Sequence, residues 1–114
     1  VTANKELAEH AERRVYQRYN CEALIKWSYF NEGRLFDAKI VNFSEDGFSF
    51  ETYSEIRPHA TIFTRLENLF TKDMSLSEME NLRTVSIGEV KWRQELSKDG
   101  LRYYLVGVRH TAVR

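Results

Sequence analysis

Apolar side chains recur with a period of two along this chain from Tyr19 to His110, in short runs cut by turn residues. Such alternation belongs to strands with one buried face. Cys21, Ala23, Ile25, Trp27 and Tyr29 alternate with Glu22, Leu24, Lys26 and Ser28, so the first strand starts at Tyr19. Asn31-Glu32-Gly33-Arg34 is a turn signal, and Phe36, Ala38 and Ile40 continue the rhythm as the second arm of a hairpin. Phe48 and Phe50 mark a third strand, and Thr61 to Leu66 a fourth, beyond a loop that carries Pro58. Val85 and Ile87 share one parity while Val90 and Trp92 share the other, and the switch across Gly88 predicts a β-bulge there. Ser97-Lys98-Asp99-Gly100 is a hairpin turn with the Asp-Gly signature. The last strand, from Leu101 to about His110, sets Tyr104, Val106 and Val108 on one face.

Two segments leave this rhythm. Thr2 to about Glu12 is rich in helix formers but has a thin apolar face of Leu7, Ala8 and Ala11, so it reads as a short helix or a loose arm. Glu67 to Arg83 contains Ser75-Leu76-Ser77-Glu78, which has the form of a capping box. With Leu76, Met79 and Leu82 at helical spacing, it predicts a short helix over about 75–82. Six strands with mostly short connections predict an all-β chain, and closure into an antiparallel barrel hides the sheet edges. The expected division is an arm over 1–18, a barrel over 19–110 and a tail over 111–114.

Composition narrows the function classes. With 17 Lys and Arg against 17 Asp and Glu, the chain has formal net charge +0, and DNA or RNA binding ordinarily leaves a basic footprint. Cys21 is the single cysteine, which excludes an internal disulfide and fits a reducing cytosol. Its place on the apolar-periodic face makes it a small core residue. The longest apolar run, Tyr103 to Val108, is far below the ~20 residues a membrane helix needs. His10, His59 and His110 are far apart and form no metal-spacing motif. No nucleophile–base arrangement and no P-loop is visible, so an enzyme is not expected.

Two short motifs carry chemistry. Arg14-Val15-Tyr16-Gln17-Arg18 is R-x-x-x-R, and Asn42-Phe43-Ser44-Glu45-Asp46-Gly47 is N-x-S-x-x-G. A guanidinium presents a planar donor fork that matches phosphate oxygens and the O6/N7 edge of guanine. The Asn42 amide both donates and accepts, the Ser44 hydroxyl can donate to a phosphate, and Gly47 allows close backbone approach. Taken singly, each motif has a plainer reading: a solvated basic segment for the first, an ordinary inter-strand turn for the second.

Together, and in this order, they resemble the signature of the bacterial PilZ domain: R-x-x-x-R just before the first strand, then D/N-x-S-x-x-G after the second. Gly88-Glu89-Val90-Lys91-Trp92 is similar to the family's G-x-V-x-W strand, and Gly107-Val108 to its G-V in the final strand. The resemblance runs from about Glu12 to His110. It implies a six-stranded antiparallel barrel whose R-x-x-x-R segment is a flexible strap, and a receptor for the second messenger cyclic di-GMP that signals to a downstream protein partner in motility, polysaccharide or biofilm control. By the same resemblance Arg14 and Arg18 grip guanine and phosphate, Asn42 reads the guanine edge, Ser44 holds phosphate or nearby backbone, and Gly47 shapes the turn. Asn42 takes the place of the Asp option and lacks its charge. Arg13 fits two readings: a third guanidinium for a mutually intercalated pair of ligand molecules, or a surface arginine paired with Glu9 or Glu12. Glu45 and Asp46 bring two negative charges into the ligand turn. Arg93 fits two readings, a reach to the ligand from the barrel wall or, the favoured one, an exposed strand residue, and Trp27 and Trp92 are expected to be core or barrel-surface aromatics. The alternatives are a PilZ-like adaptor that binds a protein without nucleotide, and a single-stranded RNA-binding barrel.

Overall fold

A computed structural model describes residues 17–111. The predicted helix or arm at 2–12, together with Arg13 and Arg14, lies outside the described residues. Six strands form: β1 (Tyr19–Tyr29), β2 (Phe36–Phe43), β3 (Gly47–Thr52), β4 (Thr61–Leu69), β5 (Val85–Lys98) and β6 (Leu101–His110). They hydrogen-bond in the order β1-β2-β3-β6-β5-β4, and β4 pairs back onto β1 to close the ring. Every neighbouring pair is antiparallel.

The alternating residues of the sequence line the interior. Ala23, Ile25 and Trp27 of β1, Ile40 and Phe43 of β2, Phe48 and Phe50 of β3, and Val106 and Val108 of β6 are buried together. Trp27 is the largest of them. Its ring stacks on Phe36 at 4.6 Å and meets Tyr29 edge-on at 5.2 Å. Its indole N–H donates to Thr52 Oγ1 at 3.2 Å, and Thr52 in turn donates to the Asp37 carbonyl at 2.8 Å. The one polar atom of a large buried ring is thereby satisfied, which removes most of the cost of burying it. Cys21 is buried, and burial, with the Glu22 charge, pushes its thiol up to about 11.

Three local expectations are corrected. The bulge in β5 is not at Gly88. Val90 pairs with Val108 and Trp92 with Gly107, so Lys91 is the extra residue. Gly88 instead faces inward with Ser86 and Val90. A Cβ there would lie 2.5 Å from Val108 Cγ1 and 2.8 Å from the Arg109 carbonyl oxygen, so the position is glycine for want of space. β4 also runs past Leu66 to Leu69, because Ala23 and Leu24 of β1 pair with Leu69 and Asn68. Finally, the helix is a single turn, α1 (Leu76–Met79). Its capping box forms as predicted: Glu78 N donates to Ser75 Oγ at 3.2 Å and Ser75 N to Glu78 Oε2 at 3.4 Å. Leu76 and Met79 are exposed, so no apolar face propagates it. The following bonds, Asn81 N to Glu78 O and Leu82 N to Met79 O, are tighter i→i−3 bonds that carry Leu82 into the core.

The Asp99-Gly100 hairpin forms with positive φ at both residues, 53° and 79°, and Lys98 pairs with Leu101 around it. That is the two-residue turn whose twist matches the flanking strands. Among the described residues, no helix is long and apolar enough to cross a membrane.

Candidate functional site on the outer face

Arg18 and Asn42 are 24 residues apart, and the β1–β2 pairing brings them together. Asn20 lies directly opposite Asn42, and from just before β1 the Arg18 side chain reaches across to donate from Nη1 to Asn42 Oδ1 at 2.9 Å. Arg18 is exposed and Asn42 half-buried. The N-terminal motif and the turn motif thus meet at this point on the ring wall.

Asn42 faces outward because of a bulge. Ile40 faces the interior, and uninterrupted alternation would send Asn42 there as well. The β2–β3 register shifts between Ile40 and Asn42, so Asn42 pairs with Ser49, and Phe43 with the inward Phe48. The same device acts on β5. Val90 faces inward, the extra Lys91 follows, and Trp92 emerges on the outside opposite Gly107. Bulges re-aim side chains in this way, often beside functional sites.

The pairings then align in one row across five strands. Asn20 pairs with Asn42, Asn42 with Ser49, Ser49 with Gly107, and Gly107 with Trp92. Directly paired residues share a face of the sheet. The outer wall therefore carries the exposed Asn20, the half-buried Asn42 and the exposed Trp92 indole, with Ser49, only 4% exposed, and the buried Gly107 in the row between Asn42 and Trp92. Trp92 lies across Gly107, where a Cβ would come within 2.2 Å of its indole nitrogen, and the residue remains 44% exposed. On the same face of β6, two residues beyond Gly107, the exposed Arg109 pairs with Gly47. From Asn42 to Trp92 the row crosses three strand spacings, roughly 14 Å, and offers a flat ring at one end and charged and amide donors at the other.

The remaining motif residues build the turn. Ser44 is 1% exposed. Its hydroxyl donates to the Asp46 carboxylate and weakly to the Gly47 carbonyl at 3.5 Å, while its backbone N donates to the same carbonyl at 2.8 Å. In this state the hydroxyl serves the turn rather than the outer face. Asp46 turns its carboxylate toward Ser44, and both Glu45 and Asp46 are exposed. Gly47 is not in the left-handed region; among the described glycines only Gly100 has positive φ. Gly47 is required because β6 passes over it: a Cβ would lie 2.0 Å from the Val108 carbonyl oxygen. The turn is also tied to the end of β6, where His110 N donates to the Asp46 carbonyl at 2.8 Å.

Arg93 does not face this row. It donates to the Ile56 carbonyl at 3.1 Å, pairs with Glu55 at 3.8 Å and lies over the Tyr104 ring at 5.1 Å, pinning the β3–β4 connection. Trp27 is a core residue. Sequence reasoning missed Trp92, Arg109 and Asn20 as members of one surface. Arg109 was in principle visible from its even spacing to Gly107, but the facing of Trp92 depends on a bulge that parity counting misplaced.

Among the described residues, no group of three or more His, Cys, Asp or Glu sits together in a way that could hold a metal ion. A scan against protein-family models finds no match, and a search of curated proteins finds none either.

Proposed function

We infer that this outer face is a receptor site for cyclic di-GMP, on a PilZ-type barrel that passes its ligand state to a protein partner. The observation that carries this reading is the Arg18–Asn42 hydrogen bond, which unites the two halves of the motif pair on the outer wall. The row from Asn42 to Trp92 supports it with complementary chemistry. Guanidinium groups at Arg18 and Arg109 suit phosphate and the guanine O6/N7 edge. The exposed face of Trp92 suits a stacked base, which is sequence-tolerant and worth ~1–3 kcal/mol. The Asn42 amide offers both a donor and an acceptor to a base edge. Arg13 and Arg14, five and four residues before Arg18 in the chain, add cations for a ligand with two phosphates. Ligand that draws this segment onto the wall orders it, and an order–disorder change of this kind is a readable signal. The free energy for that ordering comes only from contacts made in the bound state.

Calorimetric titration with cyclic di-GMP tests the reading. Arg18→Ala is expected to weaken binding by ~1.5–3 kcal/mol, the range for hydrogen bonds to charged groups. An unchanged affinity in Arg18→Ala removes Arg18 from the site. No binding by the unaltered chain, with protein-partner binding intact, would favour a ligand-independent adaptor.

A further inference from the structure

The hydrogen bond that joins the motifs also fixes which way the Asn42 amide points. A guanidinium only donates, so the atom facing Arg18 Nη1 at 2.9 Å must be the amide oxygen. The Asn42 NH2 group therefore points away from Arg18, and the oxygen keeps a second lone pair. The edge left for a ligand is one donor beside one acceptor. A carboxylate at the same place would be acceptor-only.

This difference decides which purines fit. Guanine carries two adjacent donors on its Watson–Crick edge, N1–H and N2–H, which match the two acceptors of a carboxylate. Adenine has no such pair of donors, so a carboxylate leaves one of its oxygens facing a ring acceptor. An amide meets both bases: it pairs with guanine through O6 and N1–H, and with adenine through N7 and N6–H, the pairing amides commonly use to read adenine. A site that hydrogen-bonds one edge rejects the wrong edge strongly only when a mismatch strands a polar group. Asn42 strands none with either purine.

We propose that Asn42 is a specificity-determining residue that relaxes purine discrimination, so that the outer face accepts adenine-bearing cyclic dinucleotides alongside cyclic di-GMP. The proposal rests on the cyclic dinucleotide reading above and adds base choice to it. A guanidinium on the guanine O6/N7 edge would oppose the adenine N6–H donors, so in this arrangement Arg18 and Arg109 serve the phosphates. The Trp92 face carries no purine preference, and Arg18 keeps further N–H groups for phosphate while one is held by Asn42.

The test is a competition series with three probes, cyclic di-GMP, cyclic di-AMP and the mixed cyclic GMP–AMP, on the unaltered chain and on Asn42→Asp. The unaltered chain is expected to separate cyclic di-GMP from cyclic di-AMP by less than about tenfold, with the mixed ligand between them. Asn42→Asp is expected to widen that separation by about tenfold or more, the size of one bidentate base contact. Asn42→Ala, which removes the reading edge, is expected to weaken all three probes without widening the separation, and it serves if Asn42→Asp does not fold. Binding of cyclic di-GMP with the same selectivity in Asn42→Asp as in the unaltered chain, or selectivity altered by Asn42→Ala as much as by Asn42→Asp, overturns the proposal and leaves the receptor reading standing. Binding of none of the probes overturns both.

Discussion

His110 sits where the β2–β3 turn, β5 and the core meet. Its backbone N holds the Asp46 carbonyl, its Nδ1 is 2.5 Å from Ser86 Oγ, and its ring lies 5.5 Å from that of Phe48. Burial, helped by the charge of Arg83 and opposed by that of Asp46, lowers its pKa from 6.5 to about 4. Between those values the unfolded chain binds a proton that the folded chain does not, so stability rises with pH. The contribution is complete above pH 6.5 and is lost as pH falls toward 4. A tenfold change in proton affinity is worth ~1.4 kcal/mol. Solvent screens this partly exposed ring, so the contribution amounts to roughly 1–2 kcal/mol. Urea unfolding of the unaltered chain and of His110→Gln at about pH 7.5, above the window, and about pH 4.5, near its acid end, is expected to show a larger acid loss in the unaltered chain. Parallel losses would mean that this ring does not charge on unfolding. The role was not legible in the sequence, where His110 was only the last residue of a strand. Its partners come from β5 and from the β2–β3 turn, both remote in the chain.

At the level of strands, alternation revealed nearly everything except where it breaks. Cys21, Ala23, Ile25 and Trp27, and Tyr104, Val106 and Val108, point inward as the period requires, and the Asp99-Gly100 turn forms as its residues demand. The extra residues escaped detection because a bulge and a regular strand leave the same composition. Lys91 differs from its neighbours only in having no partner of its own on β6. The sequence parity switch was real, but it reflected exposed Val85 and half-buried Ile87 on the outer face, not a bulge at Gly88. Deletion separates the two accounts. Removing Lys91 takes out only the unpaired residue, leaving Val90 inward and Trp92 opposite Gly107, so the protein is expected to fold with a melting temperature within a few degrees of the original. Removing Glu89, from the regular ladder, reverses the facing of every earlier β5 residue and brings Ile87 in where Gly88 had no room. That deletion is expected to abolish cooperative thermal unfolding. Equal tolerance of the two would place the bulge elsewhere.

Across the whole molecule, ring closure gathers remote residues into one surface. Asn20, Asn42, Ser49, Gly107 and Trp92 come from five strands and share a row only because the register is set by pairing around the ring. A chain of zero net charge can still hold an anionic ligand when its cations are placed locally, as Arg18 and Arg109 are on this wall. The motif pair made one end of the site legible from sequence, while the end at Trp92 emerged only from three-dimensional pairing. The measurement that tests the account most directly is a nuclear magnetic resonance titration of the isotope-labelled chain with cyclic di-GMP. The account predicts shifts at Arg18, Asn20, Asn42, Ser49, Gly107 and Arg109 and at the Trp92 indole N–H. It predicts little change at the buried Trp27 indole N–H, at the Asp99-Gly100 tip or at Arg65 of β4. No shifts at saturating ligand, or shifts centred on those control positions instead of the row, would contradict it.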